Sequence, residues 1–170
     1  KLPEGHRSLK ELGAEVTSSG GSFTLEQLTD GDISNSGRLP AGKDGFAWIQ
    51  YGFPQPQTIR SLTTINEIAR NERHSIPAYC QDSLQISDDG INFKTVLGIP
   101  VGDAIQQTIS FEPITARYFR LKHKNPVSAY HYTMKEPLPD PEYSEIAEFV
   151  IYPETRVNHF EEKAGYASAH

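Results

Sequence analysis

The sequence is poor in the residues that staple, anchor or charge a protein in one direction. Its 170 residues hold one cysteine, one methionine and one tryptophan. A single thiol, Cys80, excludes an intrachain disulfide and any metal centre built from cysteines, and it reads as a buried, inert side chain. No apolar run approaches the roughly 20 residues that cross a bilayer. No basic stretch followed by an apolar one opens the chain, so no signal peptide is expected in it. Basic excess is missing too. Sixteen Lys and Arg against 22 Asp and Glu leave a net charge of −6, without the footprint of a nucleic-acid binder. No apolar pattern at the helical period persists over three turns, and no segment repeats at the spacing of solenoids or propellers.

What is present is a series of short alternating segments. Residues 46–53 set Ile49, Tyr51 and Phe53 against Gln50 and Gly52, as a half-buried strand does. Residues 58–68 are rich in Thr and Ile, which suit the pleated surface of a sheet. Residues 83–87 and 91–97 flank Asp88-Asp89-Gly90, a hairpin signal because glycine accepts the positive φ of a tight turn. Residues 106–111, 116–123 and 146–152 complete the set. Before them, residues 23–29 suit a short helical turn that runs into the tight turn Asp30-Gly31-Asp32. Seven or so strands with turn residues between them predict an all-β protein, an antiparallel β-sandwich of the jelly-roll kind. The expected organisation is a lead-in over 1–23, the sandwich over 24–153 and a polar tail or linker over 154–170.

One stretch breaks the pattern. Residues 124–143 carry Pro126, Pro137, Pro139 and Pro141 beside Tyr130-His131-Tyr132, and a long aperiodic segment inside a compact domain is usually a functional surface loop. Catalytic signatures are missing. There is no H-E-x-x-H motif, G-x-S-x-G elbow or phosphate-cradling glycine loop, and the six histidines show no ligand spacing. Acid pairs such as Glu142 with Glu145 are more simply solvent-facing charges. Trp48, inside a strand with apolar neighbours, reads as packing against the core or the second face.

Five phrases in order along the chain resemble the discoidin or coagulation-factor C-type family, whose fold is galactose-binding-like. They are Leu28-Thr29-Asp30-Gly31-Asp32, the strand Trp48-Ile49-Gln50-Tyr51-Gly52-Phe53, the hairpin Ser87-Asp88-Asp89-Gly90-Ile91-Asn92-Phe93, the run Ala116-Arg117-Tyr118-Phe119-Arg120-Leu121, and the closing Glu145-Ile146-Ala147-Glu148-Phe149. Residues 48–62 and 156–165 are also similar to segments of bacterial glycoside hydrolases of the α-L-rhamnosidase type, in which such a sandwich accompanies a separate catalytic barrel.

The resemblance implies a non-catalytic, carbohydrate-associated module of a larger enzyme, periplasmic or secreted, that binds an oligo- or polysaccharide or braces neighbouring domains of its parent. An isolated monomer is expected. In sugar-binding relatives an aromatic ring stacks on the sugar while Arg, His and Asn or Asp hold the hydroxyls. By that likeness the ligand residues are Arg70, Arg73, His74 and Tyr79 in one loop, and Tyr130, His131 and Tyr132 in the other. Arginine offers fixed planar donors suited to vicinal hydroxyls or carboxylated sugars. The alternative is that the tyrosines pack the loop down and the arginines are solvated. The family also implies a structural Ca2+ held by Asp30, Asp32, Ser34 and Glu148, with six to eight oxygens in all. A departure stands here: the family's Thr or Asn followed by Trp is replaced by Ile33-Ser34-Asn35-Ser36-Gly37-Arg38. Without calcium, Asp30 would cap a turn and Glu148 would pair with a surface cation. A discoidin-type adhesion domain binding protein or lipid is the competing reading, but the loop tips are Pro-, Gly- and acid-rich rather than apolar and basic.

Overall fold

The computed structural model describes residues 7–66, 80–100, 106–127 and 139–158, except the side chains of residues 80, 81 and 100. Among the described residues the protein has seven antiparallel strands: β1 (Glu15–Ser18), β2 (Gly37–Pro40), β3 (Phe46–Asn66), β4 (Cys80–Ser87), β5 (Lys94–Pro100), β6 (Gln106–Lys124) and β7 (Tyr143–Tyr152). A 3-10 turn, Gln27–Thr29, stands where the helical turn was expected. The strand order is β2-β7-β3-β6-β4-β5, with β1 on the free side of β3. Strand β1 falls within the stretch read as a lead-in and joins the sheet. The side chain of Cys80 lies outside the described residues.

Two long strands build both layers. The sequence suggests separate strands over 46–53 and 58–68, and again over 106–111 and 116–123. Each pair is a single strand that leaves one layer and enters the other. The early half of β3 pairs with the late half of β6 through Ile49↔Leu121 and Tyr51↔Phe119, and after a register shift between Gly52 and Gln57 the other halves meet through Leu62↔Ile109. Pro54 and Pro56 sit in that shift, and Pro113 sits opposite a second one, between Ile59 and Ser61. Proline has no N–H to give a ladder, so pairing lapses and the strands bend there. Strand β5 begins at Lys94 rather than near Ile91. Residues 91–93 remain in the turn because the Asp89 carboxylate accepts the backbone N–H groups of Ile91 and Asn92, both at 2.8 Å. Those bonds hold Asp89 well below the usual carboxylate range, and Gly90 takes the turn's positive φ of 75°.

Alternation fills the space between layers. Ile49, Tyr51, Leu62, Leu84, Phe119, Leu121, Phe149 and Ile151 share one buried cluster. Tyr51 stacks on Phe149 with ring centroids 4.9 Å apart, and its hydroxyl donates to the Phe149 carbonyl. Burial of this depth raises the Tyr51 phenol well above its ordinary value. Trp48 has the opposite parity and lies half-buried on the outer face. The Arg120 guanidinium sits between its ring, at 4.3 Å, and that of Phe93, at 3.4 Å, and both Nε and Nη2 donate to Gln50 Oε1.

Candidate functional site

The two stretches singled out as ligand loops leave from one end of the sandwich. Residues 67–79 connect β3 to β4, and residues 125–142 connect β6 to β7. The side chains named for sugar contact, Arg70, Arg73, His74, Tyr79, Tyr130, His131 and Tyr132, lie outside the described residues. Their roots are described, and one polar chain joins them. The Asn66 amide donates to Asp82 Oδ2 at 3.3 Å, the same oxygen meets His123 Nδ1 at 2.9 Å, and His123 Nε2 meets Ser144 Oγ at 2.9 Å. The backbone N–H of Lys124 donates to Asp82 Oδ1 at 3.1 Å. A third segment joins the same end: Gly42 and the Asn125 side chain exchange two hydrogen bonds, of 2.9 and 2.6 Å, and Ala41 N–H donates to the Glu142 carbonyl.

A carboxylate only accepts, so His123 Nδ1 carries the proton, and in the neutral ring Nε2 accepts from the Ser144 hydroxyl. Acid, imidazole and hydroxyl in that order are also the orienter, base and nucleophile of hydrolases. Here Ser144 and His123 are each 2% exposed and Asp82 7%, closed between the two layers. The group is a buried polar brace, and sequence reading missed it. His123 alternates with Leu121 on the inward parity of β6, and that parity was the available signal.

The proposed calcium residues lie on the flank of the same strand β7. Opposite Ile65 and Asn66 the register of β7 slips, placing Glu148 and Ile146 against them and leaving Ala147 as an extra residue. Such a bulge reverses the parity. Two successive carbonyls, Ile146 O and Ala147 O, then meet one donor. Gln27 Nε2 lies 3.1 Å from each, and 2.9 Å from Asn35 O. This amide ties the 27–36 loop to the last strand. Its own Oε1 is buried without a hydrogen-bond partner among the described residues.

The bulge turns Glu148 to the outer side, where the loop covers it to 3% exposure. Gly31, at a φ of 76° that favours glycine, directs its N–H to Glu148 Oε1 at 2.7 Å. Asp30 faces the same carboxyl. Burial pushes the Glu148 carboxyl up to about 7; the Gly31 N–H works against the rise, and the Asp30 charge adds to it. The backbone N–H of Asp32 and the Asn35 amide hold Asp30 below its ordinary value. Neither acid takes part in a salt bridge among the described residues. Glu148 borders a cleft of about 460 Å³ lined also by Leu9, Lys10, Leu25, Val150 and Tyr152.

Of the four residues named for calcium, Asp30 and Glu148 therefore meet. Asp32 and Ser34 turn to each other instead: Asp32 Oδ1 accepts from both the N–H and the hydroxyl of Ser34, at 2.9 and 2.6 Å. Among the described residues no three acidic, imidazole or thiol side chains gather as a metal cluster. The two carboxyl groups, beside neutral oxygens of the loop, are the kind of donors an oxygen-seeking ion would take.

Among curated proteins no sequence matches the chain. Among solved structures it is similar to a pectin-binding carbohydrate-binding module, at 19% identity and a TM-score of 0.56 over 85% of this chain and 92% of that one. It is similar to the rhamnosidase from Novosphingobium sp. PP1Y, at 20% identity and a TM-score of 0.61, over 92% of this chain but 14% of the enzyme. A chitosan-binding module from a Paenibacillus sp. IK-5 chitosanase/glucanase, solved with chitotriose, aligns at 19% identity and a TM-score of 0.54 over 83% of this chain and 97% of that one. At these identities the likeness establishes the fold. The F5/8 type C domain model matches residues 13–137, most of the chain, and the protein belongs to that family.

Proposed function

We propose that the protein is a non-catalytic glycan-binding module and that sugar binds at the end of the sandwich from which residues 41–45, 67–79 and 125–142 emerge. The observation that supports this reading most is that one polar chain, Asn66–Asp82–His123–Ser144, joins the roots of residues 67–79 and 125–142, to which Asn125 and Glu142 tie residues 41 and 42. Residues 67–79 contain arginine, histidine and tyrosine, and residues 125–142 histidine and tyrosine, the side chains that grip hydroxyls and stack on sugar rings. In the role of ligand contacts we place Arg70, Arg73, His74, Tyr79, Tyr130, His131 and Tyr132. Arg70, Arg73 and His74 favour a carboxylated sugar, so uronate-containing oligosaccharides are the first ligands to try. The wider setting we propose is a periplasmic or secreted glycoside hydrolase of the rhamnosidase type, with the catalytic residues on another domain.

The test is saturable binding of oligogalacturonide or rhamnose-containing oligosaccharide by titration calorimetry. Replacing Arg70 and Arg73 with alanine should weaken it at least tenfold while the melting temperature holds. Equal affinity in that variant would remove the loops from the reading.

For calcium, Asp30 and Glu148 would hold the ion with neutral oxygens of the 30–36 loop. The ion would supply the positive charge that the acid pair lacks and fasten the loop to β7. It takes no part in sugar chemistry in this reading.

A further inference from the structure

Each residue of the buried polar chain occupies the end of a different strand. Asn66 is the last residue of β3 and Asp82 the third of β4, so these two bracket residues 67–79. His123 is the penultimate residue of β6 and Ser144 the second of β7, so they bracket residues 125–142. A side-chain path between the two pairs runs through one imidazole, beside the Lys124 N–H to Asp82 and the Asn66↔Ile146 pairing of β3 with β7. Both oxygens of Asp82 are engaged, by His123 and Asn66 on one and by the Lys124 N–H on the other. Asn125 then passes the connection to the third segment by its bonds with Gly42 and by its N–H to the Gly45 carbonyl. With the histidine and serine each 2% exposed, the two bonds of the imidazole are shielded from solvent.

We infer that His123 is a positioning residue that fixes the roots of both loops relative to one another, so that a change at one loop's root is felt at the other's. Asn66 and Ser144 belong to different loops and are joined through Asp82 and His123. The coupling is a property of the described residues. What the loops bind is a separate matter that rests on the glycan reading above.

The imidazole offers two contacts that can be removed one at a time. In His123→Asn an amide nitrogen replaces Nδ1 and keeps the link to Asp82 while the link to Ser144 is lost. In His123→Leu both are lost. Ser144→Ala removes the far arm alone.

The experiment is amide hydrogen exchange on the full chain, comparing wild type with Ser144→Ala and His123→Asn. Ser144→Ala should speed exchange about tenfold at residues 80–83, the root of the other loop, as well as at residues 143–145. A rise confined to residues 143–145 overturns the inference. Should Ser144→Ala fail to fold, His123→Asn serves in its place, with the same result required at Asn66 and residues 143–145. An oligogalacturonide titration separates the two readings. Retained coupling with no sugar binding by wild type overturns the ligand reading and leaves the anchor standing. Binding by wild type that Ser144→Ala leaves within twofold, despite loosened roots, overturns the positioning role. A loss of fivefold or more in affinity, with a melting temperature still above the assay range, supports it.

Discussion

Strand β7 carries two buried polar groups four residues apart, and they are opposite in kind. At Ser144 the strand contributes to a chain of complementary partners: amide to carboxylate, carboxylate to imidazole N–H, hydroxyl to imidazole nitrogen. At Glu148 it brings a carboxyl against Asp30, acid against acid, and burial, with the Asp30 charge adding to it, pushes the Glu148 carboxyl up to about 7. Burial alone therefore does not tell one kind of polar group from the other. The complementary group satisfies itself and stabilises the junction of the two layers. The like-charged group holds a proton at acid and neutral pH and, at higher pH, a repulsion that a cation would relieve.

The largest expected effect comes from breaking the first group. His123→Leu leaves the Asp82 carboxylate buried with its strongest partner gone and should cost about 3–5 kcal/mol in a denaturant titration. A loss below about 1 kcal/mol would mean that the chain contributes little to holding the layers. The second group should respond in the other direction. The folded state keeps the Glu148 proton up to about pH 7, whereas an unfolded glutamate loses it near its ordinary value of 4.5. Without a divalent ion, stability should fall as pH rises through that window, by up to about 3 kcal/mol once above it. Glu148→Gln keeps an oxygen for the Gly31 N–H and should remove the slope, which melting curves in chelator from pH 4 to 8.5 will reveal.

Calcium sharpens the contrast further. At pH 8 and 100-fold excess over its Kd it should stabilise the wild type by about 3 kcal/mol, and less at pH 5, where protons compete. Glu148→Gln should lose most of that gain. An unchanged melting temperature on adding calcium or chelator to metal-replete protein would remove the ion from the account. The smallest effect is expected between the two groups. Tyr51→Phe loses only the neutral bond to the Phe149 carbonyl and should cost about 1–2 kcal/mol with little pH dependence below pH 9.

The sheet-forming residues were legible because alternation is local: Ile49, Tyr51 and Phe53 announce their face within a few residues. Pairing was less so. Pro54, Pro56 and Pro113 look like strand ends, whereas they are the places where β3 and β6 cross from layer to layer. Strands β1 and β2, four residues each, were too short to leave a pattern. Within the acid pair, Asp30 and Glu148 were readable through the family's phrases, but the pairing of Asp32 with Ser34 depends on a turn too fine for sequence. Asp82, His123 and Ser144 were invisible as a group because they are polar, distant along the chain and brought together only by strand order. Gln27 was hidden likewise, since the bulge that aims two carbonyls at it exists only once β7 is paired.

The most direct test of the glycan reading is a titration of the 15N-labelled chain with oligogalacturonide and rhamnose-containing oligosaccharides, followed by NMR. The account predicts saturable shifts grouped at residues 41–45, 66–82 and 123–144, with the outer face around Trp48 and Arg120 unmoved. No saturable shift with any sugar, or shifts centred on that outer face, would contradict it.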